Sequence, residues 1–385
     1  MSPNLRHMND THHRVDRTIL TVVLLLVALG IVMVYSASST VATARFGDGA
    51  YYLKRHLIRV GLGLLLMVLL AKARYNRVVR LGRPLLGISL AALVLVLVPG
   101  LGGVAARGAH RWLALGPFSF QPSELARFAL LLWLADTLVA RRNILGRFTD
   151  GLLPVIAPVA AAVVLILVEP DYSTAIAVAA VCGGMIFLAG ARLVHLGGLV
   201  AGVIPLVYFA LISSEYRLAR VIAFLEGTND LTGSNYQVWQ SLIGLGSGGL
   251  FGKGLGNGAQ KLRFLPEPFN DFIFSIVGEE LGLIGALLLL LLLLILVFQG
   301  FRVAGSVRSH TGALLAAGVS LSIGLYALVN VGVVTSLLPA TGLALPFISY
   351  GGSSMIFSLA GVGLLLGISR DVELEPIKLG WRRKR

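Results

Sequence analysis

Apolar runs of 15 to 25 residues, separated by short charged segments, fill this chain from residue 18 to residue 369. A helix needs about 20 such residues to cross a hydrocarbon core of about 30 Å, and in lipid only helices and closed barrels satisfy every backbone polar group. Hydrophobic windows place spans near 18–38, 57–71, 84–98, 124–140, 152–168, 172–190, 196–212, 271–298, 311–334 and 350–369. The expected fold is an all-α integral membrane protein of about ten transmembrane helices, residues 18–370, with a long extracytoplasmic loop (213–270) between spans 7 and 8. Residues 1–17 form an N-terminal tail and 371–385 a basic C-terminal tail. "YSASS" after the first run resembles a signal-peptide cleavage site, but nine more runs follow, so it reads as an uncleaved span.

A net charge of +14 would suggest nucleic acid in a soluble protein. In a membrane protein, basic residues are first sorted by side. With a cytoplasmic N-terminus, 20 of the 32 basic residues fall inside and 10 outside, with Arg59 and Arg127 at span ends. Both termini are therefore expected in the cytoplasm, "WRRKR" faces anionic headgroups or a partner, and nucleic acid is excluded as a partner. Of the 18 acids, 11 lie on or near the outer face, which places any chemistry there. The lone Cys182, inside an apolar run, excludes a disulfide framework and a thiolate metal site.

Four carboxylates (Glu267, Asp271, Glu279 and Glu280) stand before or inside the eighth run, "FLPEPFNDFIFSIVGEELGLIGALLLLLLLL". Pro266 and Pro268 stop any preceding helix, so Asp271 falls at or near a helix N-terminus, where capping is the ordinary role. Glu279 and Glu280 lie about two turns deeper, where charge is costly unless it lines a cavity or meets a cation. At about 100° per residue, Glu279 is about 80° around from Asp271 and Glu280 about 180°. Only Glu279 can share the face of Asp271; Glu280 needs another partner, with Arg59 and Arg127 as candidates.

Elsewhere the motifs keep two readings. "GLGSGGLFGKGLGNG" (244–258) fails as a phosphate loop, because Ser247 stands where a glycine is needed and Gly254 where Ser or Thr is needed. Its glycines admit a phosphate-bearing lipid to the backbone or permit tight turns. In "RWLALGPFSFQPSELAR", Ser123 can cap the fourth span and Glu124 complement its dipole, or both can meet substrate. "EPDYST" is a tight turn with Glu169 and Asp171 between apolar runs. "LALGPFSFQPS" (113–123) and "LALPFISYGGS" (343–353) are faintly alike, a weak trace of an inverted repeat. Basic residues on the same side are Arg111, Arg217, Arg220, Lys253, Lys261 and Arg263. A carboxylate base among cations suits activation of a hydroxyl and stabilisation of a diphosphate leaving group. With these cations, the motifs mark Arg111, Gln121, Ser123, Glu124, Glu169, Asp171, Arg217, Arg220, Lys261, Glu267, Glu279 and Ser349 as candidate substrate-binding residues.

The stretches "GAHRWLALGPFSFQPSELAR", "LVEPDYSTA", "NYQVWQSLIGLGSGGLFGKGLG", "KLRFLPEPFNDFIFSIVGEELG" and "LLPATGLALPFISYGGSS" together resemble the SEDS family of peptidoglycan glycosyltransferases, the division branch (FtsW) more than the elongation branch (RodA). The resemblance implies polymerisation of lipid II, using undecaprenyl diphosphate-linked glycan, on the outer face of the bacterial cytoplasmic membrane. It also implies a class B penicillin-binding protein as partner, alongside other divisome or elongasome membrane proteins. The family's essential aspartate, in P-E-x-H-T-D-F, falls on Asp271, which becomes the expected catalytic base. Phe269 and Asn270 stand in place of the family's His and Thr, and Arg127 in place of a common lysine. A divalent cation (Mg or Mn), held by Glu267, Glu279 or the diphosphate, is an open expectation. A lipid II flippase or a noncatalytic scaffold would share the hydropathy; the acids gathered at outer span ends, rather than along a path through the membrane, speak against the flippase, and retention of Asp271 speaks against the scaffold.

Overall fold

The computed structural model describes residues 15–98, 105–106, 109–115, 118–198, 201–202, 218, 222, 224, 233–262, 265 and 268–371. Helices dominate: α1 (Arg17–Phe46), α2 (Tyr51–Lys72), a short α3 (Tyr75–Arg80), α4 (Gly82–Leu97), α5 (Pro122–Ala140), α6 (Leu153–Val168), α7 (Tyr172–Leu188), α8 (Gly233–Ser247), α9 (Ile273–Ser306), α10 (His310–Val334) and α11 (Gly352–Ser369). Before α5 lie two small antiparallel ladders, β1 (Ala105–Ala106) with β2 (Ala109–His110) and β3 (Leu113–Leu115) with β4 (Phe118–Phe120). Among the described residues, five helices are long and apolar enough to cross a membrane; α4 and α7 are shorter apolar helices. Helices α2 and α5 cover two further expected spans. Most of the expected seventh span, 196–212, lies outside the described residues, as do tail residues 1–14 and 372–385.

Helix α11 is the axis of the bundle, with 89% of its apolar window buried. Lipid tails give apolar helices no reason to associate, so close backbone packing must supply it. Along α2 it does: a Cβ added to Gly363 would stand 2.5 Å from the carbonyl oxygen of Met67.

Two features around α9 were not expected. The long segment between spans 7 and 8 carries a helix, α8, which packs along the first turns of α9, with Ser275 Oγ donating to the Ser241 carbonyl at 2.8 Å, and is tied to α10 by Ser241 Oγ donating to the Val334 carbonyl at 2.9 Å. Helix α9 is also longer than the expected 271–298 and is broken: Gly282 sits at φ 70°, ψ −171°. A break leaves carbonyls and amides without helical partners. The glycine-rich turn after α8 supplies them. The amides of Lys253 and Gly254 donate to the carbonyls of Glu279 and Glu280, both at 3.0 Å, and the amides of Leu283 and Ile284 donate to the carbonyls of Gly249 and Leu250, at 2.9 and 3.2 Å. The glycines in 244–258 therefore serve close backbone approach to a helix. At Gly252, with φ +81°, an added Cβ would lie 2.2 Å from the Glu280 carbonyl oxygen. Gly252→Ala is expected to lose roughly 1–3 kcal/mol of stability, read as a lower unfolding temperature in detergent, while Gly61→Ala, with nothing within 4 Å, leaves it unchanged.

The faint repeat has no structural counterpart. Within 113–120, β3 and β4 pair antiparallel, whereas 343–351 is turn and irregular backbone with Phe347 at φ 66°. The two nonetheless meet where their helices begin: the Gln121 amide donates to Ser353 Oγ at 2.9 Å.

Candidate active site

The depth of the acids follows from two polar ties. At one end of the bundle, Gln299 of α9 donates to Asp16 Oδ2 at 2.6 Å, and the Asp16 amide donates to Ser369 Oγ of α11 at 3.1 Å. At the other, Ser36 of α1 donates to Glu280 Oε2 at 2.6 Å. Asp16 and Ser36 stand 20 positions apart along α1. That is about 30 Å at 1.5 Å per residue, the thickness of a hydrocarbon core. Glu279 and Glu280 therefore lie at the edge of the apolar slab, and the part of α9 before Gly282 rises above it. A membrane helix tolerates these carboxylates because its spanning portion starts after them.

Both are fully partnered. Glu280 accepts from Lys261 Nζ at 2.9 Å as well as from Ser36, with Glu280 1% and Lys261 5% exposed. Glu279 Oε1 accepts from Lys253 Nζ and the Ala259 amide, each at 2.9 Å, and Oε2 from the Gln260 amide at 3.1 Å. The partner of Glu280 is thus neither Arg59 nor Arg127: Arg127 pairs with Glu124 at 2.5 Å and Arg59 lies over the Tyr350 ring at 4.8 Å. A divalent ion at Glu279 would have to displace Lys253 and two amides, so this carboxylate does not fit the expected cation. Among the described residues, no group of three or more His, Cys, Asp or Glu side chains is placed to hold a metal.

Asp271, half-buried, precedes α9 by two residues. Its main chain is held from both sides. Asn330 Nδ2 of α10 donates to the Asp271 carbonyl at 2.8 Å and to that of Leu343 at 2.7 Å, while the Tyr350 amide donates to the Phe269 carbonyl at 2.9 Å. Phe269 is buried in an aromatic group with Tyr52 and Tyr350, ring centroids 4.5 and 5.6 Å away. The apolar ring at 269, where the resembled family carries an imidazole, thus sits in an aromatic cage of its own two residues before Asp271. Gly342, at φ +91°, lies against the carboxylate: a Cβ there would be 3.4 Å from Oδ2.

From Gly342 the polar site extends to the "EPDYST" turn. Ser173 Oγ donates to the Thr341 carbonyl at 2.8 Å, and Asp171 caps α7 by accepting from the Thr174 amide at 3.3 Å. Gln121 Nε2 donates to Asp171 Oδ2 at 3.2 Å, and Arg111 NH1 stands 3.9 Å from Oδ1. Arg111 also donates through Nε to the Glu169 carbonyl at 3.1 Å and to the Pro170 carbonyl. Beneath lies a second layer, in which Arg127, held by Glu124, donates to Ser322 Oγ at 2.7 Å and covers the Tyr326 ring at 4.4 Å. Ser123 is buried with its hydroxyl unpartnered among the described residues, so it does not cap α5; Gln121 occupies the N-cap position. Ser349 accepts from the Leu345 amide at 2.8 Å and shapes the turn before α11.

Glu169 is 1% exposed and neither carboxylate oxygen has a hydrogen-bond partner among the described residues. Burial, with Asp171 adding to it and Arg111 opposing, pushes its pKa from 4.5 up to about 8. The folded protein thus holds a proton that the unfolded chain releases, and stability falls as pH rises from about 4.5 through about 8. Glu169→Gln, which mimics the neutral acid, is expected to narrow the difference in unfolding temperature between pH 6 and pH 9; an unchanged difference contradicts this assignment.

The structure thus joins Asp271 through Gly342, Thr341 and Ser173 to Asp171, Gln121, Arg111 and Glu169, with Glu124, Arg127 and Ser123 at the head of α5. Glu279 and Lys261 belong instead to the seam around the helix break. Arg217, Arg220, Arg263 and Glu267 lie outside the described residues. Sequence reading missed Asn330, whose only signal was a lone amide in an apolar run, and Ser36 and Gly342, which carried none.

The sequence model of the FtsW/RodA/SpoVE family, described as a cell cycle protein, matches residues 16–374. The chain belongs to this family. A probable peptidoglycan glycosyltransferase FtsW of Trichlorobacter lovleyi is 42% identical, with 94% of this chain and 95% of the relative covered. Stage V sporulation protein E of Bacillus subtilis is 40% identical over 92% of this chain and 97% of its own length. Among solved structures, a peptidoglycan synthase complex studied for the coordination of polymerization and crosslinking superposes with a TM-score of 0.76 at 32% identity, covering 94% of this chain and 99% of that one. The rod shape determining protein RodA of Thermus thermophilus gives a TM-score of 0.68 at 33% identity, covering 94% and 98%.

Proposed function

We propose that this FtsW/RodA/SpoVE family member is a peptidoglycan glycosyltransferase that polymerises lipid II on the outer face of the bacterial cytoplasmic membrane, serving septal wall synthesis. The observation that carries this reading is the placement of Asp271, a half-buried carboxylate whose main chain is fixed by Asn330 and whose side chain borders Gly342. In this reading, the carboxylate takes the proton of the GlcNAc 4-hydroxyl of one lipid II as that oxygen attacks C1 of the lipid-linked MurNAc. Undecaprenyl diphosphate departs with inversion. The diphosphate leaves without an acid catalyst, so one base is sufficient, aided by cations at the leaving group.

Arg111 supports this from the described residues, and Arg217 and Arg220 are proposed to join it. Gln121, Ser123, Glu124, Asp171, Glu169 and Ser349 would line the sugar and diphosphate path, together with Glu267. The excess of basic residues in segments assigned to the cytoplasm supports an outward-facing site with both termini inside. A crosslinking class B penicillin-binding protein is the partner proposed, in keeping with the assembly of the structural relative.

The test is purified protein in liposomes with labelled lipid II, alone and with that partner. Glycan strands are the expected product. Transfer of lipid II across the bilayer without polymer identifies a flippase instead, and neither activity identifies a scaffold. A tagged protein that follows the lateral wall instead of midcell assigns it to elongation.

A further inference from the structure

The turn that closes the break in α9 carries two apolar side chains left open among the described residues: Phe251 is 80% exposed and Leu250 59%. The Leu250 carbonyl accepts from the Ile284 amide at 3.2 Å, which fixes the pair at the level of Gly282. Below that level, Leu283, Ile284, Leu287, Leu288, Leu291 and Leu294 are each 50–55% exposed. Their spacing of one, three and four residues is that of one helix face, and an exposed leucine face on a spanning helix is covered by lipid. Phe251 and Leu250 therefore continue a lipid-facing strip at its upper edge. Tyr35, 47% exposed and adjacent to Ser36 in the Glu280 tie, sits at the same level on α1. Aromatic side chains gather at such membrane–water boundaries.

We propose that Leu250 and Phe251 form a wedge inserted into the headgroup–acyl boundary of the leaflet on the Asp271 side. The occupant is lipid because the strip is continuous with the leucine face of α9 and begins where the polar tie marks the end of the slab. Lys253, two residues on and paired with Glu279, stands at this edge, its side chain 37% exposed. The wedge thus registers the segment that leads into α9, and the whole cap above the break, against the bilayer surface.

The test uses the full chain in phosphatidylethanolamine and phosphatidylglycerol liposomes, with Cys182→Ala removing the lone native thiol. A nitroxide is attached at Phe251→Cys, at Leu287→Cys as lipid reference and at Lys54→Cys as water reference. Relaxation by oxygen, which partitions into lipid, is compared with relaxation by a water-soluble nickel chelate. The expected result is an oxygen-to-nickel ratio at 251 well above that at 54 and approaching that at 287. A ratio no higher than that at 54 means the turn stands in water, and a label shielded from both relaxants means protein covers it; either overturns the proposal. Leu250→Cys repeats the measurement if the Phe251 variant does not fold.

Discussion

Asp271→Ala is expected to abolish glycan polymerisation while leaving the protein folded. If the carboxylate is the base for the attacking hydroxyl, its loss removes a contribution of about 10² to 10⁴ in rate. The fold should survive, because the main chain here has holds that the substitution leaves in place: Asn330 donates to the carbonyl of residue 271 and Tyr350 to that of residue 269. Asp271→Asn keeps the shape and removes only the charge and basicity, so it should be as inactive as alanine. Gel-resolved products from labelled lipid II measure the rate, and thermal unfolding in detergent checks the fold. Wild-type speed in a folded alanine variant rules out Asp271 as the base.

Breaking the pair between Lys261 and Glu280 is expected to cause the largest loss of stability among single substitutions here. Both side chains are buried, at 5% and 0% exposure, and the remaining neighbour, Ser36, carries no charge. Removing one partner of a buried ion pair typically costs about 3–5 kcal/mol, because the other charge is left without compensation. Glu280→Leu and Lys261→Met should each lower the unfolding temperature sharply, whereas the double variant should recover much of the loss. Additive losses in the double variant would show that the two side chains do not act as a pair. The same cycle on Lys253 and Glu279 should give a smaller coupling, since Lys253 is 37% exposed and solvent screens it.

Much of the bundle was legible in the sequence because apolar runs are read by length alone: α6, α7, α10 and α11 fall close to their expected spans, while α1 runs on to Phe46, past its expected end at 38. The position of Asp271 was legible too, since two prolines and a following apolar run place it at a helix start, and it stands two residues before α9. What was not legible depends on contacts distant in sequence. The pairing of Glu280 with Lys261 and Ser36 bridges separations of 19 and 244 residues, which helical angles along α9 do not reveal, and neither Arg59 nor Arg127 is the partner. The break at Gly282 was hidden for a related reason: glycine in an apolar run resembles ordinary membrane helix, and only the turn at 248–254, folded back onto it, reveals why a break can persist there. The aromatic cage of Phe269 likewise joins α2, the 268–271 segment and the 343–351 turn, which no local pattern connects.

The interruption at Gly282 uncouples two mechanical tasks. In a continuous rod, any adjustment of tilt to a thinner or thicker bilayer would swing the far end, and mismatch of this kind costs only fractions of a kcal/mol per Å, so such adjustments are frequent. Here the upper portion is clamped to α1 through Ser36, and its link to the lower portion runs through the glycine-rich turn instead of a continuous helical ladder, so tilt below is not passed upward as in a rigid rod. Turnover should therefore vary little with acyl-chain length, which would let one enzyme work at curved and flat regions of a dividing envelope alike.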